Sequence, residues 1–300
     1  MVAHIKKEGG SHMMGMTAIS ETTRPVCRYH GGKWKLAPWV LAHFPPHDIY
    51  VEPFAGMASV LLRKPRTKCE VLNDLNEDVV NLFKVLRMPV LAEEFRRLVS
   101  LTPYARAELE DAWAADASRE GMLERARRYV VRSTMSHGSK GAIQKSRGGF
   151  RSKRAGEVSP AVDWAGYPDA VPALVERLRG VVIERRDALQ VLGIYDGPTT
   201  LHYVDPPYVQ STRVLKQGTY PYELTDEDHE ALSARLHELR GGVVLSGYDC
   251  ELYARLYADW RRVEVQAFVD VASPRVECLW LNPWVQERLR PPLLAVGWEE

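Results

Sequence analysis

The sequence lacks an excess of charge of one sign, and it lacks long apolar runs. Its 40 Lys and Arg residues nearly balance 39 Asp and Glu residues, which gives a formal net charge of +1. No global field attracts a nucleic acid, so any basic surface must be local. No apolar run reaches the length of about 18 residues that a membrane-spanning helix needs. The sequence therefore predicts a soluble globular protein.

The sequence also lacks paired cysteines. Its four cysteines, Cys27, Cys69, Cys250 and Cys278, lie far apart and show no CxxC or CxxH spacing. Such spacing is the usual sign of a metal knuckle or a redox pair. We therefore expect reduced thiols, no bound metal and a cytoplasmic location.

Length and composition limit the domain organisation. A chain of 300 residues with 45% hydrophobic content can bury a substantial core, which favours one large domain or one domain with an insertion. The opening segment MVAHIKKEGGSHM is typical of an expression tag with its linker. We expect residues 1–23 to be this tag followed by a disordered start.

Short apolar runs alternate with helical periodicity, which is the pattern of an α/β sheet covered by helices. The last two predicted strands follow each other without a helix, so they should form an antiparallel hairpin at one edge of the sheet. The predicted strands are 48–54, 69–74, 181–187, 200–205, 242–248, 263–270 and 278–282.

The strand signal is missing between 88 and 180, which indicates an insertion between 24–87 and 181–300. The first half of the insertion has apolar residues at helical spacing. Its middle, 137–156, is rich in glycine and basic residues, as in a flexible loop or a hairpin. The basic residues are Lys140, Lys145, Arg147, Arg151, Lys153 and Arg154.

Two loops that follow predicted strands have the residues of a nucleoside site, and such loops meet where ligands bind in α/β sheets. In VEPFAGMAS, Glu52, Pro53 and Phe54 end a strand, and Gly56 precedes a helix. The segment is not a dinucleotide fingerprint, because the glycine repeats of GxGxxG are absent. In LNDLN, Asp74 could accept hydrogen bonds from ribose hydroxyls. Asp74 could instead cap the helix that follows.

A third loop has the sequence DPPY and follows the strand TLHYV. Asp205 and the carbonyl of Pro206 could each accept one hydrogen of an exocyclic amine, which would make the nitrogen a better nucleophile. The two prolines fix their φ angles and so limit the entropy lost in ordering the loop. Tyr208 could stack on the base. A rigid turn with a capping Asp is the alternative.

Six segments occur in the order found in Dam-like DNA adenine methyltransferases, and the chain resembles that family from Arg28 to Pro283 outside the insertion. The segments are HGGKWKLAPWVLAHFP, VEPFAGMASVLL, VLNDLN, DPPY, VVLSGYD and ECLWLNP. The resemblance implies a Rossmann-like core that uses S-adenosylmethionine, interrupted by a mostly helical target-recognition domain at 88–180.

The resemblance also implies roles for particular residues. Its cofactor-binding positions correspond to Tyr29, Lys33, Glu52, Phe54, Gly56, Asp74, Asp187 and Asp205, and its catalytic positions to Asp205, Pro206 and Tyr208. Asp187 would bind the adenine amine of the cofactor. Two residues depart from the family pattern: Ala58 replaces a common second glycine, and Ala188 replaces an aromatic residue. We expect altered packing around the cofactor there, with binding retained.

The expected partner is double-stranded DNA. Arg213 and the rest of the 209–224 loop could close over an extruded base, and the basic segment could contact phosphates. An ordinary connecting loop and a solvated charged loop are the alternatives for these two segments. The recognised bases, a partner nuclease and the oligomeric state are not determined by the sequence, although a monomer is compatible with it.

The predicted function is methyl transfer to the exocyclic amine of adenine in double-stranded DNA, after the base is flipped out. Two other functions remain open. One is a methyltransferase that acts on RNA or on cytosine, and the other is a silent DNA-binding module with the same fold.

Overall fold

A single seven-stranded sheet forms the centre of the protein. The computed structural model describes residues 22–114, 120–137, 148–152, 159–213, 222–269 and 273–289. Of the predicted tag and disordered start at 1–23, residues 1–21 lie outside this part of the chain. The strands are β1 Ile49–Glu52, β2 Cys69–Asn73, β3 Val182–Glu184, β4 Thr200–Val204, β5 Gly242–Gly247, β6 Arg261–Val269 and β7 Ser273–Leu281.

The strand order is β3-β2-β1-β4-β5-β7-β6. Strands β1 to β5 are parallel, and β7 is antiparallel to both β5 and β6. The predicted edge hairpin is thus confirmed, and so is the α/β, Rossmann-like fold class. The chain order reverses between β1 and β4, and ligands of open α/β sheets bind outside the carboxyl ends of the strands at such a point.

Helices surround the sheet, and a single 3-10 turn, Gln210–Thr212, follows the DPPY loop. None of the helices in the described residues is long and apolar enough to span a membrane. The helices are α1 Ala37–Leu41, α2 Ser59–Arg63, α3 Glu77–Arg87, α4 Pro89–Leu101, α5 Arg106–Ala114, α6 Met122–Met135, α7 Pro160–Ala165, α8 Tyr167–Leu178, α9 Ala188–Ile194, α10 Asp226–His237, α11 Glu251–Leu256 and α12 Pro283–Leu289.

Local side-chain hydrogen bonds define several helix starts. The side chain of Asn76 accepts a hydrogen bond from the Asp78 amide and caps α3. Thr225 and Asp228 form the reciprocal capping box that their spacing predicts for α10. These caps satisfy amide groups that have no partner inside a helix.

Both faces of the central strands are buried, because helices cover the sheet on each side. Every residue of β4 and β5 is buried, as expected for parallel strands between two helical layers. On one face, Val204 and Val243 pack in a cluster with Leu192 of α9, Leu232 of α10 and Tyr253 of α11.

The opposite face of the sheet packs against helices from the predicted insertion. Tyr50 and Leu72 of the sheet belong to the same buried cluster as Phe95 of α4, Tyr129 of α6 and Leu174 of α8. The region between 88 and 180 therefore contributes a helical layer to the main core. Its separation as a target-recognition domain stays a prediction.

A buried ion cluster joins α8 to the sheet. Arg177 Nη1 and Nη2 lie 2.6 and 2.9 Å from the two carboxylate oxygens of Glu70 in β2. Arg177 also donates to the carbonyl of Leu61, at 2.6 Å. Lys64 Nζ lies 3.1 Å from Glu70. Because these charges are buried, removal of one partner leaves another without compensation.

We expect Arg177→Met to lower the free energy of unfolding by about 3 kcal/mol, because Glu70 would retain Lys64 alone as its cation. Arg179→Met is the matched control, since the Arg179 side chain is 80% exposed and pairs weakly with Glu176 at 3.5 Å. The control should change stability by no more than about 0.5 kcal/mol. Urea denaturation of both variants measures the difference, and equal losses would contradict the role of the cluster.

Candidate active site

A cleft lies at the carboxyl ends of β1, β2 and β4, where the chain order reverses. It contains about 920 Å³ of space, part of it open to solvent. Eight of the residues predicted from the sequence line the cleft. They are Tyr29, Lys33, Glu52, Phe54, Gly56, Asp74, Asp205 and Pro206.

The turn between β1 and α2 brings the backbone close to the cleft. Gly56 has φ +49°, and a Cβ atom there would lie 2.8 Å from Cε1 of Tyr29. Glycine is therefore needed both for the left-handed conformation and for the close approach of the ring. Ala58 also has a positive φ, of 50°, which costs an alanine about 1 kcal/mol. The family's common glycine at this position is thus replaced without loss of the turn.

Glu52 ends β1 and is almost completely buried. Its Oε1 accepts hydrogen bonds from the Tyr50 hydroxyl at 2.7 Å and from the Leu61 amide at 2.8 Å. Burial raises the pKa of Glu52 to about 8, since desolvation disfavours the charged form. At neutral pH the protonated form of this carboxyl therefore predominates.

Asp74 follows β2 and connects two loops of the cleft. Its Oδ2 accepts from the Gly56 amide at 2.9 Å, and its Oδ1 accepts from the Asn76 amide at 2.8 Å. Asn76, not Asp74, is the N-cap of α3. Each carboxylate oxygen can accept more than one hydrogen bond, so both can also receive ligand hydroxyls. Burial raises the pKa of Asp74 to about 6.

Asp187 follows β3 and caps α9. Its Oδ1 accepts hydrogen bonds from the amides of Leu189 and Gln190, at 2.9 and 3.3 Å. Its neighbour Ala188 lines the cleft. The predicted contact of Asp187 with the cofactor's adenine stays a prediction, and the structure adds a capping role for the same carboxylate.

Asp205 of the DPPY loop faces the ammonium group of Lys33. Lys33 Nζ lies 3.1 Å from Asp205 Oδ1 and 3.4 Å from Oε1 of Glu277 in β7. Burial raises the pKa of Asp205, and the positive charge of Lys33 opposes that rise. One ammonium group thus faces two carboxylates, Asp205 at the cleft and Glu277 beside it.

Tyr208 is buried in this structure and does not line the cleft. Its hydroxyl donates a hydrogen bond to Oε1 of Glu277. The ammonium of Lys33 lies 4.8 Å from its ring centroid, and the Tyr248 ring meets it edge-on at 4.7 Å. The predicted stacking of Tyr208 on a target base stays a prediction.

Tyr222 and Leu224 of the predicted 209–224 loop also line the cleft, whereas sequence analysis did not single out Glu277. A signal for Glu277 exists in the sequence. Alternation along β7 places Glu277 on the same face as Leu279 and Leu281, which belong to the main core. An acidic residue on an apolar strand face indicates a specific partner.

The ends of the basic segment lie side by side. Ser136 and Phe150 form an antiparallel bridge. The amide of His137 donates to Gly149, and that of Arg151 donates to Met135, both at 2.7 Å. This pairing favours the hairpin over the flexible loop. Five of the predicted DNA-binding residues lie outside the described part of the chain: Lys140, Lys145, Arg147, Lys153 and Arg154.

Arg213 lies at the end of the segment that follows the DPPY loop. Its Nη1 is 2.5 Å from the Glu223 carboxylate, and its Nη2 donates to the carbonyl of Tyr208. These contacts join residues on both sides of the undescribed stretch 214–221. The predicted contact of Arg213 with DNA stays a prediction.

The described residues contain no group of three or more His, Cys, Asp or Glu side chains arranged for a metal ion. The acids of the cleft instead contact amides, a lysine and a tyrosine hydroxyl. The class that the fold and the cleft define is thus an open-sheet α/β protein with a cleft beside a DPPY loop.

Comparison with known proteins identifies the family. The D12 class of N6 adenine-specific DNA methyltransferases matches residues 29–113 and 172–271. That match covers more than half of the chain, and the chain belongs to this family. The stretch between the two matched parts contains α6, the basic segment and α7.

Individual relatives agree with the family. The chain is 32% identical over 65 residues to the DNA adenine methylase of Serratia marcescens, which is 22% of this chain and 24% of that protein. The chain thus spans about a quarter of the length of that methylase and of its Escherichia coli K12 counterpart. It is 23% identical over 275 residues to the type II methyltransferase M.MjaIII of Methanocaldococcus jannaschii, which is 81% of this chain and 91% of that protein.

We expect Glu52→Gln to remove a pH-dependent component of stability. The pKa of Glu52 is about 8 in the folded protein, against an ordinary value of 4.5. The folded state therefore retains a proton that the unfolded chain loses. The stabilisation of the folded state by this proton is complete below pH 4.5. It decreases by about 1.4 kcal/mol per pH unit as the pH rises towards 8.

Urea denaturation between pH 6.5 and 8 measures this component, because the native protein and the variant have the same histidines and their contribution cancels in the comparison. The free energy of unfolding of the native protein should fall by about 2 kcal/mol relative to the variant across it. Glu176→Gln is the control, since that side chain is 68% exposed. Parallel pH curves for the native protein and Glu52→Gln would show that Glu52 is ionised in the folded state.

Proposed function

We propose that the protein transfers a methyl group from S-adenosylmethionine to the exocyclic nitrogen of adenine in double-stranded DNA. The position of Asp205 carries the proposal. It lines the same cleft as Gly56 and Asp74, so a proton acceptor and a nucleoside-type turn face one space. Membership of the D12 class supports adenine as the target.

The residues of the cleft fit the proposed cofactor. The Gly56 backbone lies against the Tyr29 ring in a place that a side chain would fill, and Asp74 offers oxygen acceptors suited to ribose hydroxyls. Tyr29, Lys33, Glu52 and Phe54 would surround the methionine part, and Asp187 would bind the adenine amine from the rim. When bound, the cofactor supplies a methyl group on a positively charged sulfur.

Asp205 and the Pro206 carbonyl would orient the target amine. Each accepts one amino hydrogen, which reduces delocalisation of the nitrogen lone pair into the purine ring. The bound cofactor would supply the methyl carbon to this nitrogen, and the electron pair of the broken carbon–sulfur bond would leave with the thioether product. Asp205 would then accept the proton that the methylated nitrogen loses. No covalent intermediate with the enzyme is required.

Tyr208 would stack on the extruded adenine, with a stabilisation of roughly 1–3 kcal/mol. Because Tyr208 is buried among Lys33, Tyr248 and Glu277 in the free structure, stacking requires the base to reach a ring face beside these groups. The segment that joins Tyr208 to Glu223 would close over the base, with Arg213 near its phosphates.

The basic segment would hold the duplex while adenine leaves the stack, which costs a few kcal/mol. Its described ends are paired through Ser136 and Phe150, and its basic residues would supply the phosphate contacts: Lys140, Lys145, Arg147, Arg151, Lys153 and Arg154. Contacts of this kind to phosphates make binding strongly dependent on salt.

Asp205→Ala should reduce the rate of DNA methylation by at least about 10²-fold, because the main acceptor of the amine is lost. Folding should persist, and any loss of affinity for the cofactor should be much smaller than the loss of rate. Asp259→Ala is the control, since Asp259 is 64% exposed. The assay follows labelled methyl groups into duplex DNA and identifies the methylated nucleoside. Undiminished transfer by Asp205→Ala would overturn the mechanism.

The same product analysis separates the remaining functions. Label in cytosine, or in RNA but not in DNA, would show a different methyltransferase. Binding of DNA without any transfer by the native protein would show a silent DNA-binding module.

Gly56→Ala should weaken the binding of S-adenosylmethionine by about tenfold or more, because the new Cβ would displace the Tyr29 ring. Gly180→Ala is the matched control. Gly180 also has a positive φ, of +81°, but its Cβ would meet no atom within 4 Å. Both variants should lose some stability through backbone strain, and Gly56→Ala alone should lose affinity. Isothermal titration calorimetry with S-adenosylmethionine measures this, and equal affinities would place the ligand elsewhere.

A further inference from the structure

Glu277 is a buried acid that the cofactor and target contacts described above do not use. It is 3% exposed and lies in the middle of β7, just before the part that pairs with β5. Its next neighbour, Cys278, pairs with Gly247 at the end of β5. Glu277 therefore lies at the carboxyl end of β5, which is the same edge of the sheet as the DPPY loop.

Packing alone does not account for an acid at this position. Leu279 and Leu281, on the same face of β7, belong to the main apolar core. A carboxyl group on such a face loses its hydration, and the loss is offset only by specific partners. The partners of Glu277 are Lys33 and Tyr208, which both belong to the predicted site.

Glu277 fixes the position of Tyr208. The Tyr208 hydroxyl donates to Oε1 of Glu277, and the ring has the Tyr248 edge and the Lys33 ammonium as neighbours. The hydrogen bond therefore restrains the ring at its far end, while Asp205 and the two prolines restrain the loop at its start.

Glu277 also shares the Lys33 ammonium with Asp205 as an ion-pair partner. The ammonium lies 3.1 Å from Asp205 and 3.4 Å from Glu277. With Glu277 absent, Asp205 would be the one remaining carboxylate of this pair. A carboxylate that is fully paired with an ammonium is a weaker proton acceptor.

We propose that Glu277 is a positioning residue for methyl transfer. It holds the Tyr208 ring through the hydroxyl, and it shares the Lys33 ammonium so that Asp205 retains the capacity to accept hydrogens from the target amine. This inference rests on the proposed function, since it assigns Asp205 the role of acceptor.

The other groups around Asp205 determine how it titrates. Lys33 lowers its pKa, Glu277 raises it, and the Tyr208 hydroxyl lowers it. The charge of Asp205 in turn helps to raise the pKa of Glu52 of β1, after the larger effect of burial. The tyrosine hydroxyls that face it from β4 and α11, those of Tyr203 and Tyr253, have pKa values raised well above 10. These two hydroxyls stay neutral through the pH range of the test.

The test compares native protein with Glu277→Gln, which can still accept from Tyr208 but has no charge. Removal of the negative charge lowers the pKa of Asp205. In a plot of the single-turnover methylation rate against pH, the acidic limb should therefore move to lower pH. At the pH optimum the rate should fall by about tenfold or more. Affinity for S-adenosylmethionine should stay within about threefold of native.

Two variants separate the parts of the role. Lys33→Met removes the opposite charge, so the acidic limb should move to higher pH. Tyr208→Phe removes the hydroxyl but keeps the Glu277 charge, so the rate should fall without a shift to lower pH. Glu264→Gln is the control on the adjacent strand β6, because its side chain is 57% exposed. It should change neither the rate nor the profile.

A titration without catalysis keeps this inference separate from the proposed function. The carboxyl carbon signal of Asp205, assigned with Asp205→Asn, can be followed by NMR against pH in the free proteins. It should titrate at lower pH in Glu277→Gln and at higher pH in Lys33→Met. An unchanged midpoint in both would overturn the sharing of the Lys33 ammonium, and an undiminished methylation rate in Glu277→Gln would overturn the positioning role. Absence of methylation by native protein, with the expected NMR shifts, would instead reject the proposed function alone.

Discussion

The buried ammonium of Lys33 is the interaction on which the arrangement of the cleft depends. It lies within 3.4 Å of two carboxylates and 4.8 Å from the centre of the Tyr208 ring. Without that cation, Asp205 and Glu277 would be two buried acids close to one another, and such pairs cannot both ionise at neutral pH. Lys33 thus allows two acids that are distant in the sequence to lie close together at the cleft.

The topology of the sheet makes this meeting possible. Five parallel strands end at one edge, and the pairing of the antiparallel strand β7 with β5 begins there. The β1–α2 turn, the end of β2 and the DPPY loop therefore converge, although β4 is more than a hundred residues from β2 in the sequence. The helices between 89 and 178 lie between these two strands in the sequence, and they cover one face of the sheet.

The sequence was sufficient to predict features that depend on local chemistry. The apolar strands, the α10 capping box and the turn at Gly56 each arise from neighbouring residues, and the structure has all three. The sequence was not sufficient for partners that are distant in the chain. The pairing of Arg177 with Glu70 and the position of Glu277 depend on how helices and strands meet in three dimensions. The helices α7 and α8, in the second half of the insertion, were not predicted individually.

The acids of the cleft are the positions where the chain departs most from the rules of a stable core. Burial raises the pKa of Glu52, Asp74 and Asp205 alike, so each carboxylate costs folding free energy in its charged form. Packing alone would favour apolar residues there. Local conflicts of this kind are expected at functional sites, and the apolar layers on both faces of the sheet offset them. A chain selected for stability alone would not retain three such acids around one cleft. Their cost in folding free energy therefore indicates a functional site.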